Sequence, residues 1–194
     1  SHFGLDGRIW NGFHADDHQG DVGWKKGGAE HLPPIVARGV MIDVAAYKGV
    51  DVLPESYRIL PADLEGALAR QGLALEPGDA VFIRTGRMRH IDDPRKFMHN
   101  PPGIGLAAAK WLVEGQGAML IGADNLSLEV FPVETPENWV PVHTYLEAEQ
   151  GVAIMEVVDL EALARDGVHE FAFIGASLKL RGASGAPMRP IALP

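Results

Sequence analysis

The sequence predicts an α/β fold, and three observations carry that prediction. Short β-branched or apolar runs recur at residues 35–45, 80–84, 118–122, 152–155 and 171–180. Stretches with helix-favouring composition or spacing fall between them, at 61–71, 105–114 and 142–149. Gly and Pro punctuate the joins, with no internal repeat, low-complexity tract or linker, so the 194 residues read as one domain, 1–194.

Taken in order, residues 1–34 are rich in Gly, His, Asp and aromatics and read as either a long functional loop or a poorly ordered end. The run 35–45 (IVARGVMIDVA) reads as a strand broken or bulged near Gly39. Residues 61–71 place Leu64, Ala67, Leu68 and Gln71 at helical spacing, with Pro61 at the first helical position and Gly72 at the stop. Glu76-Pro77-Gly78-Asp79 then turns the chain into a buried strand, 80–84. The alanine-rich stretch 105–114 is a helix closed by Gly115 and Gly117, followed by strand 118–122 and a proline-containing loop to Pro141. A short helix at 142–149, a strand at 152–155, a helical turn at 160–164 and a long strand at 171–180 complete the alternation. The tail contains a Gly-Ala-Ser-Gly turn and one edge strand.

Composition narrows the chemistry. Hydrophobic residues are 46% and charged residues 22%, as in a globular chain with a buried core. There is no cysteine, which excludes disulfides, a thiol nucleophile and thiolate metal sites, so any metal must use His, Asp or Glu. The net charge of −9, with dispersed Lys and Arg, points away from nucleic acid and toward a small-molecule substrate. No apolar run approaches the roughly 18–20 residues of a membrane span, and no signal peptide pattern opens the chain, so no membrane association and a cytoplasmic location are expected.

Eight histidines are the first candidates for metal chemistry. His14 and His18 are four apart, but Gly12, Gly20 and Gly23 argue against a helix there, and they read as solvated loop residues. His143 stands where the proline-containing loop enters a short helix. Two carboxylates could join it: Glu147, at i+4 on the same helix face, and Glu156, at the end of strand 152–155. Functional groups in α/β sheets gather beyond the carboxyl ends of strands, which places Thr85, Gly86, Asp124 and Glu156 on one rim. Asp43 and Asp159 read as strand and cap residues.

Together these segments resemble the cyclase family of metal-dependent hydrolases, which includes bacterial kynurenine formamidase and isatin hydrolase. The matching stretches are Ser1-His2-Phe3, Trp10-Asn11-Gly12, 34–40 (PIVARGV), 79–86 (DAVFIRTG), Pro102-Gly103-Ile104, 121–125 (IGADN), Pro141-Val142-His143, 156–160 (EVVDL) and 182–190 (GASGAPMRP). Their order and spacing cover essentially the whole chain. The resemblance implies a swivelling β/β/α-type domain with a mixed central sheet and flanking helices. It also implies hydrolysis of a C–N amide-type bond (a formamide, lactam or related cyclic amide) by water activated on a divalent metal, Zn or Mn.

The family hallmark H-x-G-T-H-x-D-x-x-x-H is met only at its final histidine, His2, so the chain is expected to begin inside that motif, with other ligands upstream. On this resemblance His143 and Glu156 are metal ligands, Glu156 being preferred to Glu147, and His2 is the general acid/base. Phe3, Trp10, Thr85, Gly86 and Asp124 are expected to contact substrate, and a homodimer or larger homo-oligomer is implied. The competing expectation is a non-catalytic binding module that retains the fold without the metal.

Overall fold

The computed structural model of the protein describes residues 1–135 and 137–194. The strands are β1 (Gln19–Gly20), β2 (Gly23–Trp24), β3 (Ile35–Asp43), β4 (Arg58–Ile59), β5 (Ala80–Arg84), β6 (Gly103–Ile104), β7 (Leu120–Ala123), β8 (Ala153–Met155), β9 (Glu170–Gly175) and β10 (Ile191–Leu193). The α-helices are α1 (Ala15–His18), α2 (Val44–Tyr47), α3 (Pro61–Gln71), α4 (Pro94–Met98), α5 (Leu106–Lys110), α6 (Pro141–His143) and α7 (Glu161–Arg165). Both α5 and α6 run on into wider π-helical turns, Trp111–Gly115 and Thr144–Gln150.

A six-stranded mixed sheet forms the centre, in the order β10-β9-β3-β5-β7-β8. Strands β3, β5, β7 and β8 are parallel, β9 is antiparallel to β3, and β10 is antiparallel to β9. The period of two along each strand divides the core. Val40, Ile42, Val81, Ile83 and Ile121 face α3, α5 and the α6 helix, whose Leu64, Leu68, Leu112 and Leu146 cover them. The opposite face carries Met41, Phe82, Leu120, Phe171 and Phe173. The Phe82 ring lies 5.0 Å from Phe173 and 5.8 Å from Phe171. This second face is covered by Val158, Leu160, Met188 and their neighbours. Both faces of the central strands are therefore dry, as their near-continuous apolar sequences require.

Helix α3 follows its sequence signals, with Pro61 in the first turn and Gly72 in the left-handed conformation at its end (φ 70°). The Asp63 carboxylate accepts the Leu60 N–H at 3.0 Å and so closes the helix start. At the carboxyl ends of β3 and β5, the buried Arg84 donates to Asp43 at 3.0 Å and to Glu161 at 2.7 Å, fastening α7 to the sheet. Asp43 also accepts the Ala46 N–H at 2.8 Å and caps α2.

Three sequence expectations are corrected. The segment of His14 and His18, read as loop because of its flanking glycines, forms the single helical turn α1, with Asp16 and Asp17 in its first turn. Strand β3 runs unbroken through Gly39, which pairs with Ala80 on one side and Phe171 on the other. The glycine is there because the Phe171 ring lies flush on it, leaving no room for a Cβ. Strand β9 stops at Gly175 rather than Leu180, and Gly175 packs closely against Phe173 and Met188. Beyond it only Ser177 forms a bridge, to Met188, and Leu178 and Leu180 are exposed. Among the described residues no helix is long and apolar enough to cross a membrane.

The Gly39–Phe171 contact predicts a mutational cost. Gly39→Val should destabilise the protein by about 2 kcal/mol or more, through overpacking against the ring. Chemical denaturation of the variant against wild type measures it.

Candidate functional site

The π-helical turn after α6, the loop between β7 and α6, and the end of β8 converge on one histidine. Val140 to His143 leave the loop with Pro141 in the first helical turn, which fixes the direction of the chain and buries His143. The side chain below it is Glu129, only 1% exposed. Its carboxylate takes the backbone N–H groups of Val142 and His143, at 3.3 and 3.2 Å, and meets His143 Nδ1 at 2.5 Å. His143 Nε2 is then aimed outward, 3.2 Å from Oε1 of Glu156 at the end of β8. Burial works against a charge on His143, but the hydrogen bonds and charges of Glu129 and Glu156 outweigh it and push the imidazole pKa up to about 9.

Glu129 is the functional candidate that sequence reasoning missed. Its one local signal is a carboxylate between two buried apolar residues, Leu128 and Val130. Its partners lie 13 and 14 residues further on, beyond the reach of any helical or strand period.

His143 and Glu156 open onto a cavity of about 670 Å³ that extends along β8. Its polar end also carries His2, Glu147 and Ser184, and its apolar floor includes Leu120, Ala153, Met155 and Met188. His2 Nδ1 lies 2.9 Å from Ser184 Oγ. The Phe3 ring stacks obliquely on His143, with centroids 4.8 Å apart, and the Phe3 N–H donates to Glu147 Oε2 at 3.0 Å. Trp10 lines the cavity against Gly151, whose left-handed φ of 66° and missing Cβ make room for the indole. Thus His2, Phe3, Trp10, His143 and Glu156 are gathered in one place.

Thr85, Gly86 and Asp124 are not part of that place. Asp124 is fully buried, and its carboxylate takes the Thr85 N–H at 2.9 Å, the Thr85 hydroxyl at 2.6 Å and the Gly86 N–H at 2.7 Å. These groups line no part of the cavity. They join the ends of β5 and β7, where burial pushes the Asp124 carboxyl up to about 6 and the donors from Thr85 and Gly86 oppose that rise. His14 and His18 stand apart as well, His18 packing edge-on against Phe13.

The donors at the polar end suit a divalent metal in type and spacing. An imidazole nitrogen and a carboxylate oxygen 3.2 Å apart can share one ion at about 2.1 Å from each. The buried Glu129 beneath Nδ1 supplies the carboxylate–histidine support that metal-bound imidazoles need, fixing the ring and raising its basicity. Among the described residues no third His, Asp or Glu joins the pair in a cluster.

Comparison with known proteins yields three findings. The family model described as "Putative cyclase" matches residues 12–130. A novel cyclase of known crystal structure superposes with a TM-score of 0.87 at 34% identity, covering 99% of this chain and 65% of that one. Isatin hydrolase A from Ralstonia solanacearum superposes at 0.69 with 20% identity, covering 84% of this chain and 62% of that one, a likeness of fold. Among curated proteins, a deoxyuridine 5'-triphosphate nucleotidohydrolase from Xanthomonas campestris is 42% identical over 62 residues, 32% of this chain and 40% of its own length. That stretch is too short to compete with a superposition over nearly the whole chain. In each of these cases the chain spans less than two thirds of the protein it matches.

Two measurements follow from this geometry. In chelator-treated protein the His143 pKa, raised from 6.5 to about 9, contributes stability that is fully present below pH 6.5 and is lost as pH rises through 9. The loss should be on the order of 3 kcal/mol, and His143→Gln should abolish it in denaturation curves taken across that window. Asp124→Ala should cost about 3 kcal/mol in chemical denaturation by leaving two buried N–H groups and a hydroxyl without their acceptor.

Proposed function

The chain belongs to the cyclase family, and on that premise we propose that it carries the larger part of a metal-dependent hydrolase that opens a C–N amide-type bond. The observation that carries the reading is the alignment of Glu129, His143 and Glu156, a buried carboxylate supporting an imidazole that faces a second carboxylate at a cavity. His143 Nε2 and Glu156 would hold the ion. A divalent ion such as Zn or Mn supplies a water of pKa near 7 and polarises the amide carbonyl. The chain's own residues do the rest. Glu129 keeps the proton on His143 Nδ1 and leaves Nε2 free to coordinate. His2 takes a proton at its ring nitrogen from the attacking water and returns it to the departing nitrogen, a transfer to which imidazole is suited near neutral pH. Trp10 forms the aromatic wall that would hold a planar substrate, and Phe3 packs against the His143 ring and shields it from water.

The cavity also sets the charge of the substrate. Among the described residues its lining includes Glu147 and Glu156 and no Lys or Arg, so it offers no phosphate-binding side chain and favours a neutral substrate. The nucleotide chemistry of the short curated match therefore finds no support here. A neutral cyclic amide of the isatin type, or an N-formylaniline, fits the apolar floor and aromatic wall. The protein would act on a small molecule, without nucleic acid or membrane, as a homo-oligomer in the cytoplasm.

The test is metal content and turnover of isatin and N-formylaniline in the wild type, His143→Ala and Glu156→Ala. We expect both variants to lose bound zinc or manganese, and turnover to fall by about a hundredfold or more. Unchanged metal occupancy and rate in both would overturn the assignment. A wild-type protein that takes up no metal would instead point to a binding module that keeps the fold alone.

A further inference from the structure

His2 is exposed and belongs to no helix or strand, yet contacts from two other parts of the chain fix its position. The first is on its side chain, where Nδ1 lies 2.9 Å from Ser184 Oγ and Nε2 has no protein partner among the described residues. The second is on the adjoining peptide, where the Phe3 N–H donates to Glu147 Oε2 at 3.0 Å. Each anchor is itself held. Ser184 follows a turn stitched to the segment after β1: the Trp24 N–H donates to the Gly182 carbonyl at 2.8 Å, and the Ala29 N–H to the Ala183 carbonyl at 2.8 Å. The Gly182 N–H in turn donates to Glu30 Oε2 at 3.0 Å. Gly23 and Gly182 approach so closely that a Cβ on either would overlap the other segment's backbone. Glu147 is placed by the same helical segment that carries His143, four residues earlier.

We propose that Glu147 and Ser184 are positioning residues forming a two-point clamp, which fixes His2 across the cavity from His143 and Glu156. The proposal rests on the reading of His2 as the proton-transfer group. It gives Glu147 a role distinct from a metal ligand, because its Oε2 accepts the Phe3 peptide N–H. Ser184 acts on the ring itself. A hydroxyl at Nδ1 can donate to or accept from that nitrogen, so it holds the ring's orientation and leaves Nε2 available for the proton. Glu147 ties the backbone of His2 to the helix that positions His143, so the two imidazoles keep a fixed separation. A proton-transfer group displaced by about 1 Å can lose up to a hundredfold in rate, so the clamp has a measurable consequence.

The experiment compares Ser184→Ala, Glu147→Leu and His2→Gln in the metal-loaded protein, with isatin and N-formylaniline as probes. Ser184→Ala and Glu147→Leu should each lower kcat about tenfold, with KM within about threefold and metal content unchanged. Ser184→Thr keeps the hydroxyl and Glu147→Gln keeps an acceptor for the Phe3 N–H, so both should recover most of the rate. Independently of turnover, the ring 15N resonances of His2 report the hydrogen bond at Nδ1 and the setting of the ring in the wild type. They should shift in Ser184→Ala and Glu147→Leu. Unchanged His2 resonances in both variants would overturn the clamp, as would unchanged kcat in both while His2→Gln abolishes turnover. If His2→Gln itself leaves turnover intact, the role given to His2 falls, and the clamp with it.

Discussion

The buried contact between Glu129 and His143 is the constraint on which the site depends. A carboxylate with 1% exposure is costly unless its oxygens are filled. Here two peptide N–H groups and an imidazole nitrogen fill them. The two peptide donors belong to the first turn of α6, where backbone N–H groups have no partner within the helix and the helix dipole favours a negative charge. Glu129 therefore does two things with one group. It caps the helix that carries His143, and it orients the ring at that helix's start. The direction of Nε2 toward Glu156 follows from that arrangement.

The sheet supplies the other half of the geometry. Strand β8 is short and lies at the sheet's edge, pairing with β7 from Ala153 to Met155. That pairing sets where Glu156 leaves the sheet. Strand β7 is fixed in turn to β5 by the buried carboxylate of Asp124, which gathers three donors from Thr85 and Gly86. Residues that by sequence belong to the same rim as Glu156 thus act one layer away from it. Asp124 spends its oxygens on β5, and that is what holds the frame in which β8 and α6 meet. The apolar floor of the cavity continues the second face of the same sheet, which is why a polar, metal-suited end and a dry body lie side by side.

Local signals made much of this fold legible in the sequence. Helix α3 announces itself by Pro61, Gly72 and its apolar spacing, and β5 by a five-residue apolar run behind a Pro-Gly turn; both run between the expected residues. The interpretation of Gly39 failed because its cause lies on another strand, in the Phe171 ring. The apolar residues of 171–180 overstated β9, because Leu178 and Leu180 lie exposed beyond Gly175. At the site, the resemblance to the cyclase family selected His2, His143 and Glu156, and the structure gathers them on one cavity. Glu129 and Ser184 escaped notice because each acts across a gap that no periodicity spans. Glu147 was noticed for its helical spacing from His143, but its bond to the Phe3 peptide could be seen only in three dimensions.

The central claim is that a buried carboxylate prepares His143 to bind metal. Zinc titration calorimetry on Glu129→Gln addresses it directly, because the amide preserves size and can still accept a backbone N–H while removing the charge beneath Nδ1. The account predicts that zinc binds the variant about 10- to 100-fold more weakly than the wild type. An affinity equal to that of the wild type would contradict it.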